Sequence, residues 1–141
     1  MGFIRGICFA VCFLILAGNV MAAGKQNYKE LYRRGVEANK MGDLKEAISW
    51  YSKAIAEKPD SADLYFVRGR AYGQDQQVDK AISDLSRAVS LRPGYAEAYN
   101  HRGVIYVAKG EKEKAQSDFR KGCSQGLKDA CTNMEKLSSG K

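Results

Sequence analysis

The chain has 141 residues, 28% of them charged and 45% hydrophobic, with a formal net charge of +7. That length suits one compact domain rather than two. Two prolines exclude a collagen-like or Pro-rich chain, the lack of a second long apolar run excludes a polytopic membrane protein, and frequent aromatic residues argue against disorder.

Residues 1–22 stand apart. Seventeen of them are apolar and Arg5 is their one charge. A short basic start, an apolar run from Ile7 to Ala17, the breakers Gly18 and Asn19, and a small residue at Ala22 form the three parts of a secretory signal. Cleavage is expected after Ala22, with Ala23 and Gly24 as other options. The rival reading is an uncleaved inner-membrane anchor, since Ile7 to Ala23 is at the short limit of a spanning helix. In that case the segment is the chain's sole membrane contact. A lipoprotein site at Cys8 or Cys12 fits poorly, because both lie inside the apolar run. The expected location is periplasmic or secreted. Cys8 and Cys12 would leave with the signal, so Cys123 and Cys131 would remain where disulfides persist.

The remainder repeats every 34 residues. Arg34-Gly35, Arg68-Gly69 and Arg102-Gly103 recur at that spacing, as do Ala47, Ala81 and Ala115, and Ser49, Ser83 and Ser117. Pro59 and Pro93 are in phase, Tyr65 matches Tyr99, and Tyr72 matches Tyr106. Tyr65, Gly69 and Tyr72 share one helix face, and Ala81, Leu85 and Ala88 share another. Small residues belong where two helices cross, and the aromatics fill the space beside them. Each proline ends one helix and turns the chain into the next unit. Asp43 with Glu46 fits a capping box.

This pattern resembles the tetratricopeptide repeat, and the chain as a whole resembles small envelope-type bacterial proteins of that family. Three units fit, 28–61, 62–95 and 96–129, with 130–141 as the end of a capping helix and a tail. The usual Leu before each Gly is Arg here, and the third unit has Leu127 in place of Pro. The resemblance implies an all-α, right-handed superhelical solenoid of three helix pairs plus a C-terminal capping helix. The predicted helices are 27–41, 44–57, 61–74, 78–91, 95–109, 112–123 and 128–137. In the seventh, Ala130, Met134 and Leu137 are placed to cover the last repeat.

Cys123 falls near the end of the sixth helix and Cys131 in the first turns of the seventh. Antiparallel helices joined by a short turn bring such Cα atoms within about 6 Å, as a disulfide requires. The same offset occurs in secreted, cysteine-rich α/α-repeat proteins that this segment resembles. Two reduced, buried cysteines are the alternative. Cys-x-x-Cys spacing is absent, and two Cys with one His do not make a zinc site.

No catalytic constellation accompanies the sole histidine, His101, and no metal or cofactor is expected. Asp84 and Asp118 share a repeat position and read as solvated or capping charges. The resemblance implies that the first helices line a concave face, whose candidate groove residues are Tyr32, Val36, Asn39, Phe66, Arg70, Asn100 and Val104. Phe66 has a second reading, as packing against the neighbouring unit. Some co-chaperones of the family hold a carboxylate with Lys, Asn, Asn, Lys and Arg. The matching positions here are Tyr32, Val36, Val67, Asn100 and Val104, so that activity does not carry over. The lysines from Lys109 to Lys128 are interleaved with Glu111 and Glu113, and with export expected they do not argue for nucleic acid. The expected function is an exported, non-catalytic scaffold that binds a protein or peptide in its concave groove. The alternative is an assembly module that self-associates or builds a larger envelope complex.

Overall fold

The computed structural model describes residues 27–140. The expected export signal, residues 1–22, lies outside them. The described residues form seven helices and no strand: α1 Tyr28–Lys40, α2 Leu44–Glu57, α3 Ala62–Gln74, α4 Val78–Leu91, α5 Ala96–Ala108, α6 Lys112–Ser124 and α7 Lys128–Ser139. Each pair α1/α2, α3/α4 and α5/α6 packs tightly within itself and then against the next, while α7 closes on α6 and touches α5. This is the all-α solenoid of three helix pairs plus a capping helix. None of these helices is long and apolar enough to cross a membrane.

The repeated small residues set the distance between the helices of a pair. Ala47, Ala81 and Ala115 are fully buried where the helices cross. Gly35, Gly69 and Gly103 each face a large side chain sixteen residues further on: Tyr51, Leu85 and Phe119. A Cβ on Gly103 would lie 2.7 Å from the Phe119 ring, and one on Gly69 would lie 3.0 Å from Leu85 Cγ. Each glycine therefore makes room for its partner. Cores between the pairs then form around Leu31, Ala54, Ile55 and Leu64, and around Phe66, Leu85, Val89 and Tyr99.

Turns explain where the helices stop. Lys58 and Arg92, the residues before the prolines, have φ near −138° and −136°. Proline denies its predecessor the helical region, so α2 and α4 end there. Turns inside the units use a residue of positive φ at Gly42, Gln76 and Gly110. The α6–α7 turn, lacking proline, is built like these intra-unit turns: Gly126 N–H donates to the Cys123 carbonyl and Leu127 N–H to that of Gly122. It brings α7 close enough that a Cβ on Gly122 would sit 2.9 Å from Ala130 Cβ. The Cys123 and Cys131 sulfurs lie at disulfide distance, 2.01 Å, with their Cα atoms 4.7 Å apart.

Two expectations need correction. The capping box is half formed. Asp43 accepts from Glu46 N–H at 3.1 Å, but the Glu46 carboxylate takes the Trp50 indole N–H instead of reaching back. Asp43 N–H is already satisfied by the Ala38 carbonyl. Asp84 and Asp118 are not solvated; they are 6% and 3% exposed. Each accepts two hydrogen bonds from the Arg that stands in the family's Leu position: Arg68 on Asp84 at 2.7 and 2.9 Å, Arg102 on Asp118 at 2.7 and 2.8 Å. The remaining guanidinium nitrogen donates to a serine of the preceding unit, Ser52 or Ser86. The arginine departure is thus a bridge across three helices. It is flanked by Tyr65 and Tyr72 in one unit and by Tyr99 and Tyr106 in the next.

Candidate functional site

Helical periodicity sends residues four and three apart to one face. On α1, α3 and α5 one such face packs on the second helices, and the opposite face forms the candidate groove. The structure treats its expected residues unequally. Tyr32 is 38% exposed, with its ring leaning on Tyr51. Val36 is half-buried against the Ala38, Ala47, Tyr51 and Ala71 cluster, and Asn39 is half-buried. Phe66 is 9% exposed and belongs to the core between the second and third units, its ring 4.8 Å from Tyr95. It lies beneath the groove rather than in it, because the neighbouring helix pair seals its far side. Arg70 is exposed and stacks its guanidinium over the Phe66 ring at 5.6 Å. Asn100 is engaged by the capping helix: Asn133 Nδ2 donates to its Oδ1 at 2.9 Å. Val104 stands 47% exposed, with Val107 beside it at 42%.

Two adjoining cavities follow from this arrangement and share Val104. One, of about 240 Å³, lies between α3 and α5 and is lined by Arg70, Gly73, Gln74, His101 and Ile105 as well. The other, of about 400 Å³, lies between α5 and α7, with Val107, Ala108, Phe119, Asn133, Lys136 and Leu137 on its walls. The sequence reading missed Lys136 and Asn133, since α7 falls outside the 34-residue frame. Leu137, expected to cover the last repeat, faces its Val104, Val107 and Phe119 across this cleft.

The electrostatics sort the groove into usable and occupied groups. Asp63, at the groove's edge, binds Arg92 through both oxygens and accepts from Tyr95 Oη at 2.9 Å. The Arg92 guanidinium holds its carboxyl below the usual range, and burial pushes the Tyr95 phenol up. This cluster is a tether between α3 and the turn leading to α5. His101 meets the Phe66 ring edge-on at 5.4 Å. Burial, helped by nearby Arg70, lowers its pKa below 6.5, which favours the neutral ring. The basic stretch is partly neutralised: Lys109 pairs with Asp79 and Lys114 with Glu111. Among the described residues no three His, Cys, Asp or Glu side chains gather to hold a metal. The chemistry on offer is apolar contact plus one or two cations.

Comparison with known proteins fits this description. A family model described as TPR repeat matches residues 37–76 and 69–110, and one described as tetratricopeptide repeat matches 96–125. The first TPR of Spaghetti (RPAP3), solved bound to the HSP90 peptide SRMEEVD, is 28% identical with a TM-score of 0.77, covering 83% of this chain and 94% of that one. The second TPR domain of human RPAP3, in complex with the HSP70 peptide SGPTIEEVD, is 29% identical with a TM-score of 0.72, covering 77% and 92%. The MamA protein is 28% identical with a TM-score of 0.75, covering 81% of this chain and 63% of that one. No curated protein sequence matches the chain.

Proposed function

Because this chain belongs to the tetratricopeptide repeat family, we propose that it is an exported, non-catalytic scaffold whose concave groove holds a protein or peptide partner. The observation that carries this reading is the exposed pair Val104 and Val107 at the mouth of a preformed cleft, with Arg70 alongside. Apolar side chains left at the edge of a concave surface, next to a cation, mark a contact surface rather than a solvated one. Solved neighbours of 28% and 29% identity carry peptides, which supports the same reading.

The outer face of α1 argues against the alternative of end-to-end self-association. Arg33 and Arg34 pair there with Glu30 and Glu37 in exposed ion pairs, the polar finish expected of a terminal repeat.

The test is affinity capture from the native envelope fraction with wild type, Arg70→Glu and Val107→Asp. Phe66→Ala is unsuitable, since it would open a cavity in the core. Loss of the same partners in both variants is expected; equal recovery would sink the groove. For export, N-terminal sequencing of the protein from its native host should begin at Ala23, and a start at Met1 would favour the anchor.

A further inference from the structure

The groove's composition says what kind of segment it takes. No carboxylate lines either of the two adjoining cavities; their charged side chains are Arg70 and Lys136, and His101 lines the one that holds Arg70. Neither cation forms an ion pair among the described residues, whereas Asp63, at the groove's edge, is spent on Arg92. The Arg70 guanidinium rests over the Phe66 ring, a contact that favours one placement of the side chain before it meets an anion. The cleft beside it is walled by Val104, Val107, Leu137 and the edge of Phe119, a space for an aliphatic side chain.

What is missing is equally specific. A free C-terminal carboxylate needs several converging donors. At the five positions matching the family's carboxylate set, Val36 and Val67 pack into the core and Val104 is an exposed apolar residue, so three of the five offer no donor. Tyr32 and the Asn100 amide, whose Oδ1 accepts from Asn133, remain, too few for a converging set.

We propose that this cleft binds an internal segment of a partner protein, one presenting an aliphatic side chain between α5 and α7 and a side-chain carboxylate to Arg70, without use of the partner's C-terminus. Charge complementarity selects the acidic group, and Lys136 on the opposite wall adds to the field. Neighbouring helix axes lie about 10 Å apart, which an extended chain spans in about three residues at roughly 3.3 Å each. The two anchors are therefore two to four residues apart. The inference rests on the groove reading above and adds the ligand's chemistry.

The test uses random twelve-residue peptides displayed with their C-termini fused to carrier, selected on the full-length purified protein. Enriched sequences are then synthesised acetylated and amidated, and their binding is followed by fluorescence anisotropy. The expected consensus pairs Leu, Ile or Val with Asp or Glu two to four residues away. Arg70→Glu and Val107→Asp should each weaken binding at least tenfold, and a free C-terminus should change it less than twofold. Should Val107→Asp fail to melt like wild type, Lys136→Glu replaces it, with a loss of about threefold expected. Enriched peptides that depend on Arg70 or Val107 but are basic, or that need a free C-terminus, would overturn the proposal and leave the groove reading intact. Peptides that bind the variants as well as wild type, or no enrichment, would remove both. A dimer of the free protein that Val107→Asp dissolves would put a second copy in the cleft and overturn it also.

Discussion

Replacing Arg68 with the family's usual residue, Arg68→Leu, tests how the repeats are joined. Leucine restores apolar contact but leaves Asp84, with its side chain 8% exposed, facing no cation. An uncompensated buried charge of this kind costs about 3–5 kcal/mol. Ser52 is spared, because its hydroxyl also donates to the Ile48 carbonyl at 2.7 Å. The double variant Arg68→Leu/Asp84→Ala removes both charges and should return to within about 2 kcal/mol of wild type, since a buried ion pair contributes little beyond an apolar replacement. Adding Asp84→Ala to Arg68→Leu should therefore recover at least about 1–3 kcal/mol. Urea unfolding followed by helical circular dichroism reads this directly. With a slope of about 2 kcal/mol per molar, Arg68→Leu lowers the midpoint by about 2 M and the second substitution recovers much of it. An Arg68→Leu protein within about 1 kcal/mol of wild type, or a double variant no more stable than the single, would show that the bridge is a surface pair of no consequence and refute the reasoning.

Reduction of the Cys123–Cys131 pair, or Cys123→Ser/Cys131→Ser, should cost about 2–3 kcal/mol for so short a loop. Hydrogen exchange should quicken in α7 before the rest, since Ala130 is that helix's one fully buried residue; unchanged α7 amides would count against it, as would two free thiols in the denatured, exported protein. His101 gives stability a pH slope. Its folded pKa is depressed by burial and then by Arg70, so below 6.5 the unfolded chain takes up a proton that the folded ring resists. Stability therefore falls as pH drops through that window, and His101→Gln should flatten the slope; urea midpoints between about pH 5 and 7.5 that decline equally in both proteins would contradict it.

Much of the fold is legible in the chain because steric demands repeat without compromise. Gly35, Gly69 and Gly103 recur since each lies beneath a large side chain, and Pro59 and Pro93 since each stops a helix. Every helix end falls within two residues of its sequence expectation. The arginine bridge was harder to see. Its signal is present, an Asp sixteen residues after Arg68 and after Arg102 but Trp50 after Arg34. Reading it requires pairing two columns across helices instead of following one face. Phe66 carried two meanings that periodicity cannot separate, because groove and inter-unit core are adjacent on α3 and only the placement of Tyr95 and Tyr99 decides between them. Asn133 and Lys136 were invisible as groove walls for a different reason: the tight α6–α7 turn sets where α7 lies, and that turn follows intra-unit rules at a place where the repeat frame expects proline.

The bridge also counts. An arginine needs an aspartate from its own unit and a serine from the unit before. Trp50 occupies the aspartate column of the first unit, where Arg34 instead stacks on the indole at 4.9 Å. Arg120 occupies the serine column of the third, so a fourth unit added there would set its arginine against a like charge. The linking chemistry thus has an internal beginning and end: a unit duplicated in the middle of the array would keep the bridge, whereas one appended after α6 would have to stack on apolar contacts alone.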